Sequence, residues 1–230
     1  MDSVRAVLMG GQNTSGNAVN TIDFGIIANG GTFTDFGDMT AVRGSKTVQV
    51  SDSHGGLNDG YQGTRPTHIP GSSRGIVMGG YNSPAAKNTI EFFNIASTGN
   101  ASDFGDASLA ASFGSANSSS TRMIMQGGYT DALTTETDTI QYVEMQSQGN
   151  GADFGNLLSS RANSASTGSC STTRGLSEGG GTGGGGQVNE IEYITMASVG
   201  NGTDFGDLTV AREVAAACSS STRGVCGGGA

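Results

Sequence analysis

Large rings and charged side chains are scarce in this chain. Of its 230 residues, 6% are aromatic and 13% are Asp, Glu, Lys or Arg, and tryptophan is absent. A core built from this composition must be thin and must consist of Ile, Val, Met, Leu and Phe. We therefore expect a domain that depends on closure of its fold, or on neighbouring molecules, for stability.

Basic residues are the scarcer charged class. Eleven Lys and Arg stand against twenty Asp and Glu, which gives a net charge of −9. Eight of the eleven recur at repeated positions, and only Lys46, Arg65 and Lys87 do not. No basic patch is left for nucleic acid or for an anionic membrane. We expect the repeated cations to have structural roles, paired with Asp residues of the repeat.

Segments that would mark export or membrane insertion are also missing. Residues 1–20 lack a basic start followed by an apolar run, which is the pattern of a signal peptide. No apolar stretch approaches the roughly 18 residues of a membrane-spanning helix. We expect neither a signal peptide nor a membrane span.

Motifs for cysteine chemistry and for catalysis are absent too. Cys170, Cys218 and Cys226 are an odd number without a C-x-x-C pair, which argues against a disulfide framework or a zinc site. Cys170 and Cys218 fall at nearly the same repeat position, where we expect a small buried residue. No G-x-S-x-G motif occurs with triad partners, and no glycine run leads into the Lys-Ser/Thr of a phosphate loop. We expect no catalytic residue, no metal and no cofactor.

Glycine, in contrast, is abundant, with 40 copies, and many of its positions repeat. An Arg and a short apolar strand that ends in paired glycines recur along the chain, at Arg5, Arg74, Arg122, Arg174 and Arg223. They divide it into repeats of about 5–73, 74–121, 122–173 and 174–222, with a terminal strand at 223–230. We interpret the repeated glycines as strand ends and tight turns.

Each full repeat continues with a variable loop, a second strand, the motif Asp-Phe-Gly and a Ser/Ala-rich segment. The Asp and Phe residues of the motif are Asp35, Phe36, Asp103, Phe104, Asp153, Phe154, Asp204 and Phe205. The Ile of the second strand (Ile22, Ile90, Ile140 or Ile191) precedes the Asp by 13 residues in every copy. This constant distance predicts one hairpin register, because a one-residue slip would turn every side chain to the wrong face.

Four strands per repeat follow from these landmarks, and no run has helical periodicity. Periods near 50 residues with several short strands are typical of propellers and solenoids, and radially packed four-stranded blades form a β-propeller. We predict an all-β protein with one propeller domain over residues 1–230, made of four complete blades and one extra C-terminal strand. That strand would form the seam of a closed or nearly closed ring, or a subunit contact.

The repeat resembles the kelch repeat. The resemblance rests on the glycine pair, on the aromatic residue of the second strand (Phe92, Tyr142, Tyr193), and on the Arg after the third strand (Arg43, Arg161, Arg212). The chain departs from kelch repeats in lacking Trp, whose packing role we assign to the Phe of Asp-Phe-Gly, and in having Ala111 at one Arg position. Over almost its whole length it is more similar to degenerate kelch-like repeats (GN-x-x-DFGD-L-T-x-x-R … STRG-V-x-GG) typical of virion and tail-associated proteins of marine bacteriophages.

The first repeat carries an insertion at about 44–70. Val48 and Val50 indicate one extra strand in it, and the rest is a long surface loop, of a length that is usually functional or disordered. We expect it to share one face with the variable loops. The candidate interaction residues are Asp52, His54, Asp59, Tyr61 and His68. A metal or acid–base pair of the two His is an alternative, although their spacing matches no known ligand pattern.

The motif Asp-Phe-Gly-Asp allows two interpretations. Carboxylates three residues apart, near Asn and Gly, could bind Ca²⁺ through oxygen ligands. Alternatively, the first Asp caps a turn or pairs with the repeat Arg. Because the motif recurs in every repeat, we favour the structural role.

A propeller scaffold says little about function, since propellers host many functions. The resemblance implies a non-enzymatic virion protein, made in the host cytoplasm, that decorates the capsid or tail or contacts the host surface. Its partners would be other virion proteins, copies of itself or a host-surface glycan. The alternatives are a carbohydrate-binding or enzymatic propeller and a secreted, extracellular bacterial adhesin.

Overall fold

The fold consists of β-strands only. The computed structural model describes residues 5–27, 29–44, 48–51, 74–164, 169–171, 173–219 and 223–230, with the backbone alone for 48–51. Every regular element in these ranges is a strand, so the all-β prediction is confirmed. No helix in this part of the chain could cross a membrane.

The first half of the chain forms two antiparallel sheets. Sheet I has the order β1 (Arg5–Met9), β2 (Val19–Ile26) and β3 (Thr34–Arg43). Sheet II has the order β4 (Val48–Ser51), β5 (Arg74–Met78), β8 (Thr89–Asn94) and β9 (Ser102–Asp106). The loop between β5 and β8 holds the small hairpin of β6 (Tyr81–Asn82) and β7 (Ala85–Ala86).

The second half forms two further sheets and a hairpin. Sheet III has the order β10 (Ser115–Ser118), β11 (Arg122–Tyr129), β12 (Glu136–Glu144) and β13 (Ala152–Asn156). Sheet IV has the order β14 (Arg174–Glu178), β17 (Glu190–Thr195) and β18 (Thr203–Asp207), with the small hairpin β15 (Gly181–Thr182) and β16 (Gly186–Gln187). The C-terminal hairpin pairs β19 (Ala216–Ser219) with β20 (Gly224–Gly227).

Sheets II and III each straddle the boundary between two sequence repeats. We expected the Ser/Ala-rich strand to complete the sheet of its own repeat, but β10 pairs with β11 of the next one, Ser118 opposite Met123. The reason is local, because residues 119–121 make a short hairpin connection between these two strands. The extra strand predicted at Val48 and Val50 is β4, the equivalent first strand of sheet II.

The predicted constant register is confirmed. Ile22, Ile90, Ile140 and Ile191 lie opposite Gly37, Gly105, Gly155 and Gly206, the glycines of the four Asp-Phe-Gly motifs. The register shifts at the next residue in each case, so the Phe of the motif is the extra residue of a β-bulge. A bulge re-aims a side chain, and here it turns the Phe away from its own ladder.

The paired glycines end the first strand of each full repeat with two successive positive φ angles. In sheet II these angles are 65° at Gly79 and 106° at Gly80. A Cβ at Gly79 would lie 2.3 Å from the carbonyl oxygen of Ala111. Only glycine meets both conditions, because other residues rarely adopt such φ values.

The hydrophobic core is divided among the spaces between consecutive sheets. One cluster joins sheets I and II around Met9, Phe36 and Phe93. A second joins sheets II and III, and a third joins sheets III and IV around Phe154 and Met196. Each sheet is therefore stabilised by its neighbours, since burying one such side chain contributes about 1.5–3 kcal/mol.

The expectation that the insertion shares a face with the variable loops stays a prediction, because residues 52–73 lie outside the described part of the chain. Strand β4 ends at Ser51, opposite Gly75, and the variable loop follows Met78 at the other end of β5. A closed propeller is not seen in the described part of the chain.

Candidate functional site

Consecutive sheets meet at a joint that repeats three times. In the joint between sheets II and III, the N–H groups of Gly149 and Gly151 donate to the carbonyls of Phe104 (3.0 Å) and Asp106 (2.7 Å). The Asn150 side chain accepts from the N–H of Asp106 at 3.0 Å. Loops 99–101 and 200–202 make the same three bonds in the joints I–II and III–IV. The Gly-Asn loop of each later sheet thus binds the Asp-Phe-Gly strand of the earlier sheet.

The glycine of Asp-Phe-Gly is required by this close approach. A Cβ at Gly105, where φ is 147°, would lie 2.5 Å from the carbonyl oxygen of Gly149 in the next sheet. A Cβ at Gly37 or Gly155 would lie 2.5 or 2.4 Å from the carbonyl oxygen of Gly99 or Gly200 in the same way. A side chain at any of the three positions would separate the two sheets.

The bulged Phe fills the apolar centre of each joint. Phe36, Phe104 and Phe154 are 2–3% exposed. Phe36 packs edge to face on Phe93 of the next sheet, with ring centroids 5.5 Å apart. Phe104 makes the same type of contact with Phe92 of its own sheet at 5.9 Å. These pairs add to the free energy gained from burial of the rings.

The Arg that opens each of the first three repeats also reaches into the next sheet. The Arg74 guanidinium lies 4.8 Å from the ring centroid of Phe92 in its own sheet, and its Nη1 donates to the Met145 carbonyl at 2.6 Å. The equivalent contacts are those of Arg5 with Phe24 and Ile95, and of Arg122 with Tyr142 and Met196. One cation thereby orients a ring of its own sheet and holds a carbonyl of its neighbour.

Two joints contain a buried ion pair. Arg43 Nη2 lies 3.1 Å from Glu91 Oε2, and both side chains are at most 1% exposed. Arg161 pairs with Glu192 in the same arrangement. Burial raises the pKa of the Glu91 carboxyl, against the opposing effects of Arg43 and of hydrogen bonds from the Thr40 and Ala41 backbone. We expected Asp residues of the repeat as partners; for Arg43 and Arg161 that is wrong, because the carboxylates that meet them are Glu91 and Glu192 of the second strand of the next repeat.

The remaining joint replaces both charges by neutral groups. Ala111 stands at the Arg position, and Gln141 stands at the Glu position. The Gln141 side chain accepts from the Ser108 hydroxyl (3.0 Å) and the Leu109 N–H (3.1 Å), and donates to the Leu109 carbonyl (2.9 Å). The two changes compensate each other, because a Glu here would be buried without a cation.

The Asp side chains of Asp-Phe-Gly face solvent. Asp35, Asp103, Asp153 and Asp204 are exposed, and Asp204 Oδ1 accepts from the N–H of Gly206 at 3.1 Å, as in a turn cap. No group of three or more His, Cys, Asp or Glu residues in the described ranges is arranged to hold a metal. The motif therefore contributes its backbone and its Phe to the joint, and the side chain of its first Asp takes no part in it.

The candidate interaction residues Asp52, His54, Asp59, Tyr61 and His68 lie outside the described residues. Arg223 opens the last strand, next to the groove described below. Sequence reasoning did not single out Glu91, Gln141 and Glu192. A signal for them existed, since all three directly follow the invariant Ile of the second strand.

The joint is incomplete at sheet IV. Phe205 is 51% exposed, and a Cβ at Gly206 would contact nothing within 4 Å. A groove of about 400 Å³ lies there, lined by Leu176, Glu178, Ile191, Phe205, Arg212 and Cys226 among others. The groove combines apolar side chains with charged ones of both signs, as one side of a joint does when the next sheet is not packed on it.

The C-terminal hairpin covers only part of this face. The Ser219 hydroxyl donates to the Cys170 carbonyl at 2.7 Å and accepts from the Cys170 N–H at 3.1 Å, so the hairpin stands where the first two strands of a fifth sheet would stand. Cys218, which we expected to be buried, is exposed, because nothing in the described chain packs on the far side of β19. Burial and the Glu178 carboxylate raise the pKa of the Cys226 thiol.

Neither a protein-family model nor a curated protein matches this chain.

Proposed function

We propose that the protein is a non-enzymatic structural protein that acts through contacts with other protein surfaces, on a kelch-like propeller scaffold. The observation that carries this proposal is the incomplete joint at sheet IV. The same contact set that holds the described sheets together is presented there to solvent. A surface with that composition fits another protein better than a small substrate.

The use of buried ionisable groups supports the same proposal. Arg43, Glu91, Arg161 and Glu192 are buried in contacts between sheets, and burial lowers the pKa of Arg43 and of Arg161. Perturbed groups of this kind mark an active site when they line a cleft. Here they lie inside packed joints, which is the expected place for structural groups.

The assignment to a bacteriophage virion rests on the resemblance of the repeat. A structural protein of the capsid or tail, present in several copies, needs a stable scaffold with exposed contact surfaces. Other virion proteins and copies of the chain itself are the partners that such surfaces fit. A host-surface glycan is a further candidate partner for the variable loops.

The test is the location of the protein. Antibodies raised against the purified chain should label intact phage particles from the source culture by immunogold microscopy, and mass spectrometry should find the chain in gradient-purified particles. Particle-free lysate is the control. Finding the chain only in the free fraction would refute the virion role. Calorimetric titration with oligosaccharides tests the carbohydrate-binding alternative, for which saturable heat is the positive result.

A further inference from the structure

We propose that the incomplete joint of sheet IV binds sheet I of a second copy of this chain, so that copies join head to tail. The inference deepens the proposed structural role by naming the partner. An interface between two different patches of one molecule is heterologous, and it produces chains or rings of copies.

Sheet I presents the complementary half of a joint. Ile27 lies five residues after the Ile of its second strand, as Ile95, Met145 and Met196 do in the later sheets. Those three residues are at most 1% exposed, whereas Ile27 is 54% exposed. In joints I–II, II–III and III–IV, the carbonyl at this position accepts from the opening Arg of the preceding sheet. Arg174 lies over Tyr193, with 4.5 Å to the ring centroid, in the same pose as those donors. The second copy supplies Arg174 with the Ile27 carbonyl.

Phe33 of sheet I takes the place that Phe93 holds in the joint between sheets I and II. In sheet II, Phe93 packs on the bulged Phe36 of sheet I. The equivalent residue of sheet I is Gly25, and the Phe33 ring lies over it, since a Cβ at Gly25 would meet ring atoms at 3.0–3.3 Å. Phe33 is 45% exposed. It offers the exposed Phe205 of another copy the apolar contact that Phe93 offers Phe36.

The two surfaces also carry complementary charges. Arg212 occupies the position of Arg43 and Arg161, and donates to the Gly228 carbonyl at 3.1 Å. Among the described residues it has no carboxylate at ion-pair distance. Asp23 occupies the position of Glu91 and Glu192 and also lacks an ion pair in the described part of the chain. Joining the copies brings Arg212 and Asp23 together as the third charged pair of this kind.

Strand composition specifies how the two copies meet. Among the described residues, sheet I has three strands and lacks the first strand that β4 and β10 provide in sheets II and III. β19 is such a first strand, now paired with β20, Cys218 opposite Val225. Because β1 and β20 hold the same position, β1 of the second copy replaces β20. The product is a four-stranded sheet with Cys218 opposite Val7.

The replacement favours the joined state through apolar burial. β20 is largely exposed. At two equivalent positions it has Cys226 and Gly227, whereas β1 has the larger apolar residues Leu8 and Met9. Leu8 is 59% exposed in the single chain. Pairing with β19 of another copy covers it against the groove of sheet IV.

Disulfide trapping tests this register. Val7→Cys is made in the full chain with Cys170→Ser and Cys226→Ser, so that Cys218 is the only other thiol, and the protein is oxidised mildly after its β-sheet circular dichroism is checked. We expect a ladder of disulfide-linked oligomers on a non-reducing gel, increasing with protein concentration and lost on reduction. Directly opposite residues of antiparallel strands are close enough for this bond. The added variant Cys218→Ser is the control and should show no ladder.

Three results discriminate between outcomes. A cross-linked monomer at all concentrations would mean that β19 pairs with β1 of its own chain, and would overturn the second-copy proposal. A folded protein without any cross-link would overturn the register as well. With the proposed contacts, Arg212→Asp removes the ladder, and adding Asp23→Arg restores it. Location of the chain in phage particles is measured separately, so the proposed function can fail while this interface stands.

Discussion

The joint between sheets II and III and the uncovered face of sheet IV are built from the same motif, yet they differ in the exposure of the Phe and in the space around the Gly. Phe104 is 3% exposed and Phe205 51%. A Cβ at Gly105 would lie 2.5 Å from the carbonyl oxygen of Gly149, whereas a Cβ at Gly206 would contact nothing within 4 Å. The motif alone therefore does not make a residue part of the core. The Phe is buried only where the Gly-Asn loop of the next sheet covers it. Its contribution to stability therefore comes from the neighbouring sheet and not from its own hairpin.

The largest difference in the free energy of unfolding is expected between variants of the buried Arg161 and of its exposed equivalent Arg212. Arg161→Met leaves Glu192 buried without its partner, which should lower the free energy of unfolding by about 3–5 kcal/mol. Arg212→Met removes two exposed hydrogen bonds, to the carbonyls of Val210 and Gly228, and should cost about 1 kcal/mol. Urea titrations of the two variants measure the difference. Equal losses would show that the Arg161–Glu192 pair contributes no more than a surface contact.

The second largest difference in the free energy of unfolding is expected for the Phe of the motif. Phe104→Ala creates a cavity between two sheets and should cost about 3–5 kcal/mol. Phe205→Ala removes an exposed ring whose main contact is Tyr193, at 6.2 Å between centroids, and should cost about 1 kcal/mol. Unfolding followed by circular dichroism checks both. A large loss for Phe205→Ala at low protein concentration would mean that the single chain already covers this face.

Transplanting the ion pair sharpens the comparison between charged and neutral joints. Ala111→Arg places a charge opposite neutral Gln141, which should destabilise the protein by several kcal/mol, the effective cost of one unpaired buried ion. Adding Gln141→Glu should recover most of that loss. Because both proteins carry the same added volume, the double-mutant cycle isolates the charge. A double variant no more stable than Ala111→Arg would show that packing, not charge, decides this position.

The smallest effect is expected at the Gly-Asn loop. Asn150→Ala removes the acceptor for the Asp106 N–H, 3.0 Å away, and should cost about 1 kcal/mol. Thr32→Ala changes the equivalent, exposed residue of sheet I and should stay within about 0.5 kcal/mol of the parent chain. Thermal unfolding resolves the two. If Asn150→Ala were neutral, water would be replacing the amide at this site.

Much of the fold could be predicted because its signals are local. The 13-residue distance from Ile140 to Asp153 specified the register of one hairpin, and paired glycines such as Gly79 and Gly80 marked strand ends. The assignment of the Ser/Ala-rich strand failed because a repeat boundary in sequence need not be a sheet boundary in space. The partner of Arg161 was also missed, since Glu192 belongs to the next repeat and is brought to it by sheet packing.

The sequence by itself determined the all-β class, the repeat, the hairpin register and the positions where only glycine fits, because these depend on distances within one hairpin or turn. The tertiary structure decided which sheet each strand joins, which Glu faces each Arg, and which of the four Phe residues is exposed. Those outcomes depend on contacts between residues about one repeat apart. Such contacts exist only when the next sheet packs against the last, and at Phe205 no such sheet is present in the described chain.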